Sequence, residues 1–470
     1  MESFMPYLLS LLLLRLSLYL ISFVRKKGKN LPPGCNSWLR ENLSLNLIGS
    51  RFFFQHRMQK YSPAQVFKTS IFGVEAAVFC GAQGNKFLFT NETKLVSAWR
   101  TPSLRKALLP AFVANNKKNP VAIFRSYDLA KPDALRQYIP VMDAVVRRLL
   151  PERPNSVVKM LPLSNKYSFE LAFKLFTDAA VPEVLEKLIE PFGLLVNGML
   201  ALPINLPGTT FSRAVKAGQV ARAEVMRMVK ERRKEMRETG ESEGDGEGRD
   251  MLSKMLLLSD EDEEYDAMVA NFVVGLVVVS YDSTASAITA VVHFLAELPH
   301  IYQQVLREQM EIAKSKGPDE PLTWEDMEKM KYSWNVARES LRLLPPAVGG
   351  FKEATTDFTY AGYTIPKGYK TYWTPHSSHM NPEYFPEPEK FDPSRFEGSG
   401  PPPYTFVPFG GGPRMCAGKD YARVAILVFM HNLVTRFRLE KVIPDEKMVF
   451  HATRAVPAHG LPIHLHPHSN

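Results

Sequence analysis

Cysteine is scarce in this chain. Cys35, Cys80 and Cys416 are spread over 470 positions with no Cys-x-x-Cys pair. That excludes a disulfide framework and a cysteine-rich zinc site, and it suits a reducing compartment. Arginine-rich tracts and nucleic-acid motifs are lacking too. The net charge of +9 therefore points to an acidic protein partner or an anionic membrane surface, not to nucleic acid. No internal repeat is visible, which excludes a solenoid. A phosphate-binding loop is also missing: Gly418-Lys419 is followed by Asp420, and Pro413 stands where the first glycine belongs.

Long hydrophobic runs are rare, and only one reads as a membrane span. Phe4 to Val24 is rich in leucine and is followed by Arg25, Lys26, Lys27 and Lys29. Arg15 near its centre costs about 2.5–3.5 kcal/mol, while each Leu, Ile, Phe or Val returns about 0.3–0.6, so the sum favours insertion. The basic cluster on the C-terminal side keeps the bulk of the chain cytosolic. Leu31-Pro-Pro-Gly34 then forms a stiff hinge. The expected organisation is a single-span anchor over residues 1–24, a basic and proline-rich hinge over 25–34, and one catalytic domain over 35–470.

What is abundant is helical pattern. With 45% hydrophobic residues the chain can bury a large core, and prolines at 151, 162, 182 and 203 mark element ends. Residues 238–250 form a polar, Gly-rich loop. The segment from Tyr265 to Leu298 reads as one long helix of about 50 Å, ended by Pro299. It is apolar on every side before Ser280 and so belongs inside the protein. Asp282, Ser283 and Thr284 then sit in a buried stretch, where an acid and hydroxyls need partners or a purpose.

The most informative stretch is Phe409-Gly-Gly-Gly-Pro-Arg-Met-Cys-Ala-Gly418, running into a helix from Lys419. Its glycines let the backbone approach a flat object closely. A cysteine at a helix N-terminus beside Arg414 is expected to favour its thiolate. Such a sulfur is a nucleophile or a metal ligand, and an axial ligand for haem iron is one such role.

This decapeptide resembles the haem-binding signature Phe-x-x-Gly-x-Arg-x-Cys-x-Gly of the cytochrome P450 superfamily. Val279-Ser-Tyr-Asp-Ser-Thr284 resembles the superfamily's oxygen-binding motif, with Val279 and Ser280 at the two usually small positions and Ser283 replacing a threonine. Glu339-x-x-Arg342, then Phe391-Asp-Pro-Ser-Arg-Phe396, then the cysteine loop follow the superfamily's order. The resemblance implies a mainly α-helical fold with small β-sheets, haem b as cofactor and Cys416 as the axial iron ligand. It further implies that Phe409, Gly410, Arg414, Gly418, Arg125 and Lys352 hold the haem, with Arg125 and Lys352 at the propionates. Asp282 and Ser283, supported by Thr284, would deliver protons during dioxygen activation. Glu339, Arg342 and Arg395 would form a structural ion-pair triad.

Longer stretches, among them Asn85-Lys-Phe-Leu-Phe89, Leu206 to Ala217 and Glu440 to Lys447, look like the plant oxidases of cyclic triterpenes, the β-amyrin 28-monooxygenase group. Conifer taxane hydroxylases are relatives. The implied activity is NADPH- and O2-dependent oxidation of a terpenoid, such as β-amyrin, through successive steps on one methyl group. The implied partners are an NADPH–cytochrome P450 reductase, meeting Lys419, Arg423 and Arg436, and the endoplasmic reticulum membrane. Two other readings stay open: a taxane-type diterpenoid hydroxylase, and an inactive or poorly coupled haem- or terpenoid-binding descendant. The second follows from Val279, Ser280 and the shortened segments between Trp38 and Tyr61 and over Asn116–Asp133; Arg454, in a turn that is usually apolar, bears on the substrate and not on the chemistry. Val348 to Phe351 are the expected substrate-facing residues. The alternating His464, His466 and His468 read as a solvated, extended tail.

Overall fold

A computed structural model describes residues 30–35, 37–108, 135–151, 155–177, 182–239, 251–257, 262–317 and 320–468. The anchor expected over 1–24, the first half of the hinge, Arg125 and most of the 238–250 loop lie outside the described residues. The helices that frame the interior are α1 (Trp38–Tyr61), α2 (Gly81–Thr90), α3 (Ile139–Leu149), α4 (Met160–Thr177), α5 (Pro182–Gly198), α6 (Thr210–Thr239), α7 (Glu263–Glu297), α8 (Pro299–Lys314), α9 (Lys331–Leu343) and α10 (Lys419–Arg436).

The long helix α7 is the axis of the structure. Asp262 caps it, accepting hydrogen bonds from the Glu264 and Tyr265 amides, and Glu263, Glu264 and Asp266 place negative charge on its first turn. It is one helix through Asp282-Ser283-Thr284 and stops before Pro299. Among the described residues it is the one helix apolar and long enough to cross a membrane, but it lies mostly buried in the protein. It packs against α4, with Tyr281 set edge-on to Phe169 at 5.3 Å. Helix α10 is buried from Val424 to Val434. Its Asn432 side chain donates to Asp143 on α3 at 2.7 Å.

The β-structure is small. Strands β1 (Val66–Ile71) and β2 (Val74–Phe79) form a hairpin turned at Phe72-Gly73, both at positive φ, which accounts for the glycine. With β3 (Val96–Ala98), β5 (Gly350–Ala354) and β8 (Lys370–Trp373) they make a five-stranded sheet in the order β1-β2-β8-β5-β3. A three-stranded sheet joins β4 (Ser156–Lys159), β12 (Pro462–Pro467) and β9 (Phe437–Lys441). Here the terminal histidines lie in an extended segment, as expected, but one that is paired into a sheet and not simply solvated. His464 bonds the Asn155 carbonyl at 2.9 Å, and His466 meets Glu440 at 2.8 Å. Two further pairs are β6 (Phe358–Tyr360) with β7 (Tyr363–Ile365), and β10 (Met448–Phe450) with β11 (Ala455–Pro457).

A buried knot ties α9 to the segment ahead of the cysteine loop. Arg342 grips Glu339 through two bonds of 2.7 Å and donates to the carbonyls of His379 and Pro388, each at 2.8 Å. Arg395 approaches the same carboxylate at 3.4 Å, and the Asp392 amide donates to it at 2.9 Å. Glu339 and Arg342 are wholly buried, so their charges stand only because each lone pair and N–H is matched.

Candidate active site

Between α7, α10 and the five-stranded sheet lies a cavity of about 490 Å³. Its walls come from Leu276, Val279, Ser280, Ser283, Thr284 and Ala287 of α7, and from Leu175 and Phe176 of α4. Pro346, Ala347, Phe351, Lys352 and Trp373 add the sheet side, and Phe409 to Gly411, Arg414 and Cys416 to Gly418 the floor. The lining is predominantly apolar, as expected of a site for a flat hydrophobic group.

The floor is shaped by steric need. Gly410 and Gly412 sit at φ +69 and +68, where a side chain is strained. A Cβ at Gly411 would lie 2.5 Å from the Phe89 ring, and one at Gly412 would lie 2.4 Å from the Phe89 carbonyl. Gly418 carries no such demand, since its nearest neighbour would be Cys416 Sγ at 3.9 Å. The Cys416 amide donates to the Phe409 carbonyl at 2.9 Å, which closes the loop around the thiol.

The expectation that Arg414 and the helix terminus together lower the thiol pKa is corrected in part. Cys416 opens into the cavity, and its depth in the protein pushes the thiol up; the helix terminus does oppose the rise, through the Gly418 amide at its N-cap, but Arg414 does not. The reason is where Arg414 points: its Nε lies 3.7 Å from Glu92, turned to that carboxylate. Lys352, buried on β5, pairs with the same Glu92. A sulfur in this setting becomes thiolate when a metal binds it, because a coordinating thiol is deprotonated outright.

On the opposite wall the α7 motif divides. Ser283 lines the cavity and donates to the Val279 carbonyl at 2.8 Å. Thr284, buried in the protein, also lines it, and no hydrogen bond is described for its hydroxyl. Val279 is 55% exposed, into the cavity. Asp282 is not among the cavity-lining residues; its carboxylate is held by Arg454 from the β10–β11 connection. Burial raises the Asp282 pKa and the Arg454 charge counters that rise. Residues 451–460 supply no lining residue, and of Val348 to Phe351 only Phe351 does. Val348 is buried in the hydrophobic cluster that holds Phe54 and Tyr372, and at Gly349 a Cβ would strike the Trp373 carbonyl at 2.1 Å.

Glu92, Leu175 and Phe176 escaped the sequence reading. No local pattern marks Glu92, and Leu175 and Phe176 read as ordinary core positions. Of the three basic residues expected to meet a reductase, Lys419 is exposed beside the loop. Arg423 lies over Trp334, and Arg436 donates to the Arg147 carbonyl at the far end of α10. No cluster of three or more His, Cys, Asp or Glu able to hold a bare metal ion occurs among the described residues.

The residues fit a haem: a thiol over a glycine floor, an apolar slot and two cations, Lys352 and Arg414, at one edge for its carboxylates. The comparisons agree. Residues 84–461 match the cytochrome P450 family. The chain is 49% identical to a β-amyrin 6β-monooxygenase of Solanum lycopersicum, with 99% of this chain and 100% of the relative covered. It is 48% identical to a β-amyrin 28-monooxygenase of Panax ginseng, covering both fully. Among solved structures, a retinoic acid-bound cyanobacterial P450 superposes with a TM-score of 0.80 at 29% identity, covering 94% of this chain and 100% of that one. Site geometry, family match and relatives agree, and the chain belongs to the cytochrome P450 family, as a haem-thiolate monooxygenase with haem b as its cofactor.

Proposed function

We propose that this enzyme oxidises a pentacyclic triterpene such as β-amyrin, using dioxygen and electrons drawn from NADPH through a membrane-bound reductase. The observation that carries the proposal is the placing of Cys416 on the floor of an apolar cavity roofed by Val279, Ser280, Ser283 and Thr284. The names of the relatives supply the substrate class. When bound, haem supplies oxygen activation and C–H oxidation.

The chain's own residues do the rest. With haem bound, Cys416 would ligate the iron, and Lys352 and Arg414 would hold the propionates. Arg125 is proposed as a third propionate partner. Leu175, Phe176, Leu276, Phe351 and Ala347 exclude water and press a flat substrate against the α7 wall. Ser283 donates its hydroxyl hydrogen bond to the Val279 carbonyl, which leaves its oxygen lone pairs available as acceptors. Thr284 presents a second hydroxyl, and Asp282 is the acid that feeds protons to them once Arg454 lets go. Electrons enter on the face of Lys419. Each turnover consumes NADPH, a proton and dioxygen, and yields water, NADP⁺ and one new C–O bond.

Phe4 to Val24 is proposed as the endoplasmic reticulum anchor, with the catalytic domain on the cytosolic side. Helix α1 supports this, because Leu39, Leu43 and Leu47 are exposed at i, i+4 and i+8 on one face just after the hinge.

The test uses the full chain co-expressed with a plant reductase in yeast that makes β-amyrin. The expected results are an oxygenated β-amyrin by mass spectrometry and a red-shifted Soret band for the reduced, carbon monoxide-bound protein. Cys416→Ser is expected to abolish both. A wild-type Soret band without that shift would overturn the thiolate assignment. A shifted band with no oxidation of any triterpene offered would overturn the substrate class alone.

A further inference from the structure

We infer that Glu92 is a positioning residue for the cofactor: it holds Lys352 and Arg414 as a preformed clamp for the two haem propionates. This rests on the proposed role of those two cations.

Three chain segments converge on this carboxylate. Glu92 follows α2 in the turn leading to β3, where Thr93 is at positive φ. The Ala98 amide donates to Glu92 Oε1 at 3.0 Å. Ala98 stands opposite Lys352 in the β3–β5 register, so the bond that fixes Glu92 also places it against the lysine. Lys352 donates to Oε2, while Arg414 reaches toward Oε1 from the cysteine loop. That loop is pressed beneath the end of α2 at Phe89, which keeps the arginine in reach. Glu92 is 3% exposed and Lys352 4%.

The charges show what Glu92 is for. Two propionates alone would neutralise Lys352 and Arg414, so the cofactor does not need a third anion. The protein needs it, because a lysine buried on β5 is unstable without a partner. Glu92 supplies that partner, while both cations still line the cavity with donors that it does not use. A lysine is a point charge on a flexible stem, so what fixes its direction decides its usefulness. The cluster of one anion and two cations also leaves the bound propionates with an excess of negative charge. That favours the ferric over the ferrous state.

The test compares holoproteins. Glu92→Gln is expected to hand its haem to excess haem-free myoglobin roughly tenfold faster, the equivalent of one charge-assisted hydrogen bond. Its Fe(III)/Fe(II) midpoint potential should move positive, because a fixed negative charge is gone. Glu92→Asp keeps the charge but falls short of both cations, so it should lose haem faster with an unmoved potential. Glu92→Asp carries the test if Glu92→Gln does not accumulate. The double variant Glu92→Gln/Lys352→Met removes the buried charges together; it should recover thermal stability and still lose haem quickly.

Recovery of the wild-type transfer rate in the double variant would show a merely structural ion pair and overturn the inference. Wild-type transfer and potential in Glu92→Gln would do the same. The single variants Lys352→Met and Arg414→Gln separate the two levels. If neither speeds haem loss, the propionate assignment itself fails. If they do and the Glu92 variants do not, only the role of Glu92 falls.

Discussion

The Arg454 guanidinium donates to the Asp282 carboxylate, tying the β10–β11 hairpin to the middle of α7 across 172 positions of sequence. The pair lies partly buried behind the cavity wall. Burial raises the Asp282 pKa and Arg454 restrains it. Arg454→Met is therefore expected to cost about 1–3 kcal/mol at neutral pH. The sign follows from linkage: a carboxyl whose folded pKa lies above its unfolded value loses stability as pH rises toward the folded value. The deficit should grow as pH rises past the raised folded value of Asp282, and adding Asp282→Asn should remove that growth. Thermal melts across this range check it, and a deficit independent of pH would reject the pairing as its source.

Glu339 offers a sharper stability test. It is fully buried with Arg342 on it in two places and Arg395 nearby. Glu339→Gln leaves the guanidinium of Arg342 without its counter-charge, which costs about 3–5 kcal/mol. The expected outcome is a large drop in the urea midpoint and little recoverable holoprotein. A variant as stable as wild type would mean that the carbonyls of His379 and Pro388 suffice.

These two relationships differ in how far the sequence reveals them. Glu339 and Arg342 share one helix face, which permits their pairing, and the resemblance to the superfamily's ordered motifs is what implied it. The long helix through Asp282, the cysteine loop and its glycines are equally local, and they stand where pattern puts them. Asp282 itself was legible as a buried acid, but not its direction, because Arg454 arrives from another part of the chain. The same limit explains the thiol. Arg414 is two residues from Cys416, yet Glu92 turns it away, and burial then dominates the pKa. Leu175 and Phe176 are helix positions like their neighbours until the packing of α4 on α7 places them in the cavity.

Val279 projects into the cavity where the motif usually has a small residue, beside the carbonyl that receives the Ser283 hydroxyl. Val279→Gly opens that wall. It should raise the fraction of NADPH electrons recovered in product and lower peroxide release. A glycine inside a helix costs about 1 kcal/mol, so the melting temperature should fall at the same time. Parallel assays of product, NADPH and peroxide read the ratio. An unchanged ratio with the expected thermal loss would show that Val279 does not crowd the chemistry.

Acid stability should be governed by buried histidines. Burial lowers His376 and His379 to about 3, and His293 and His431 to about 4. For His379 the hydrogen bonds show why the ring stays neutral. The Val407 amide donates to Nε2 at 2.9 Å, so that nitrogen carries no proton, and Nδ1 donates to the Arg342 carbonyl at 3.0 Å. In the unfolded chain these rings take up protons near pH 6.5, which the folded state refuses until about 3 to 4. Folding stability contributed by the neutral rings is therefore complete above the unfolded value and is lost as pH falls below it. His376→Gln removes one such proton uptake. Its urea midpoint should fall less steeply than that of wild type as pH is lowered from about 6.5 to about 4. Parallel slopes would place the acid sensitivity on other groups, because His376 would then no longer discriminate between the two states.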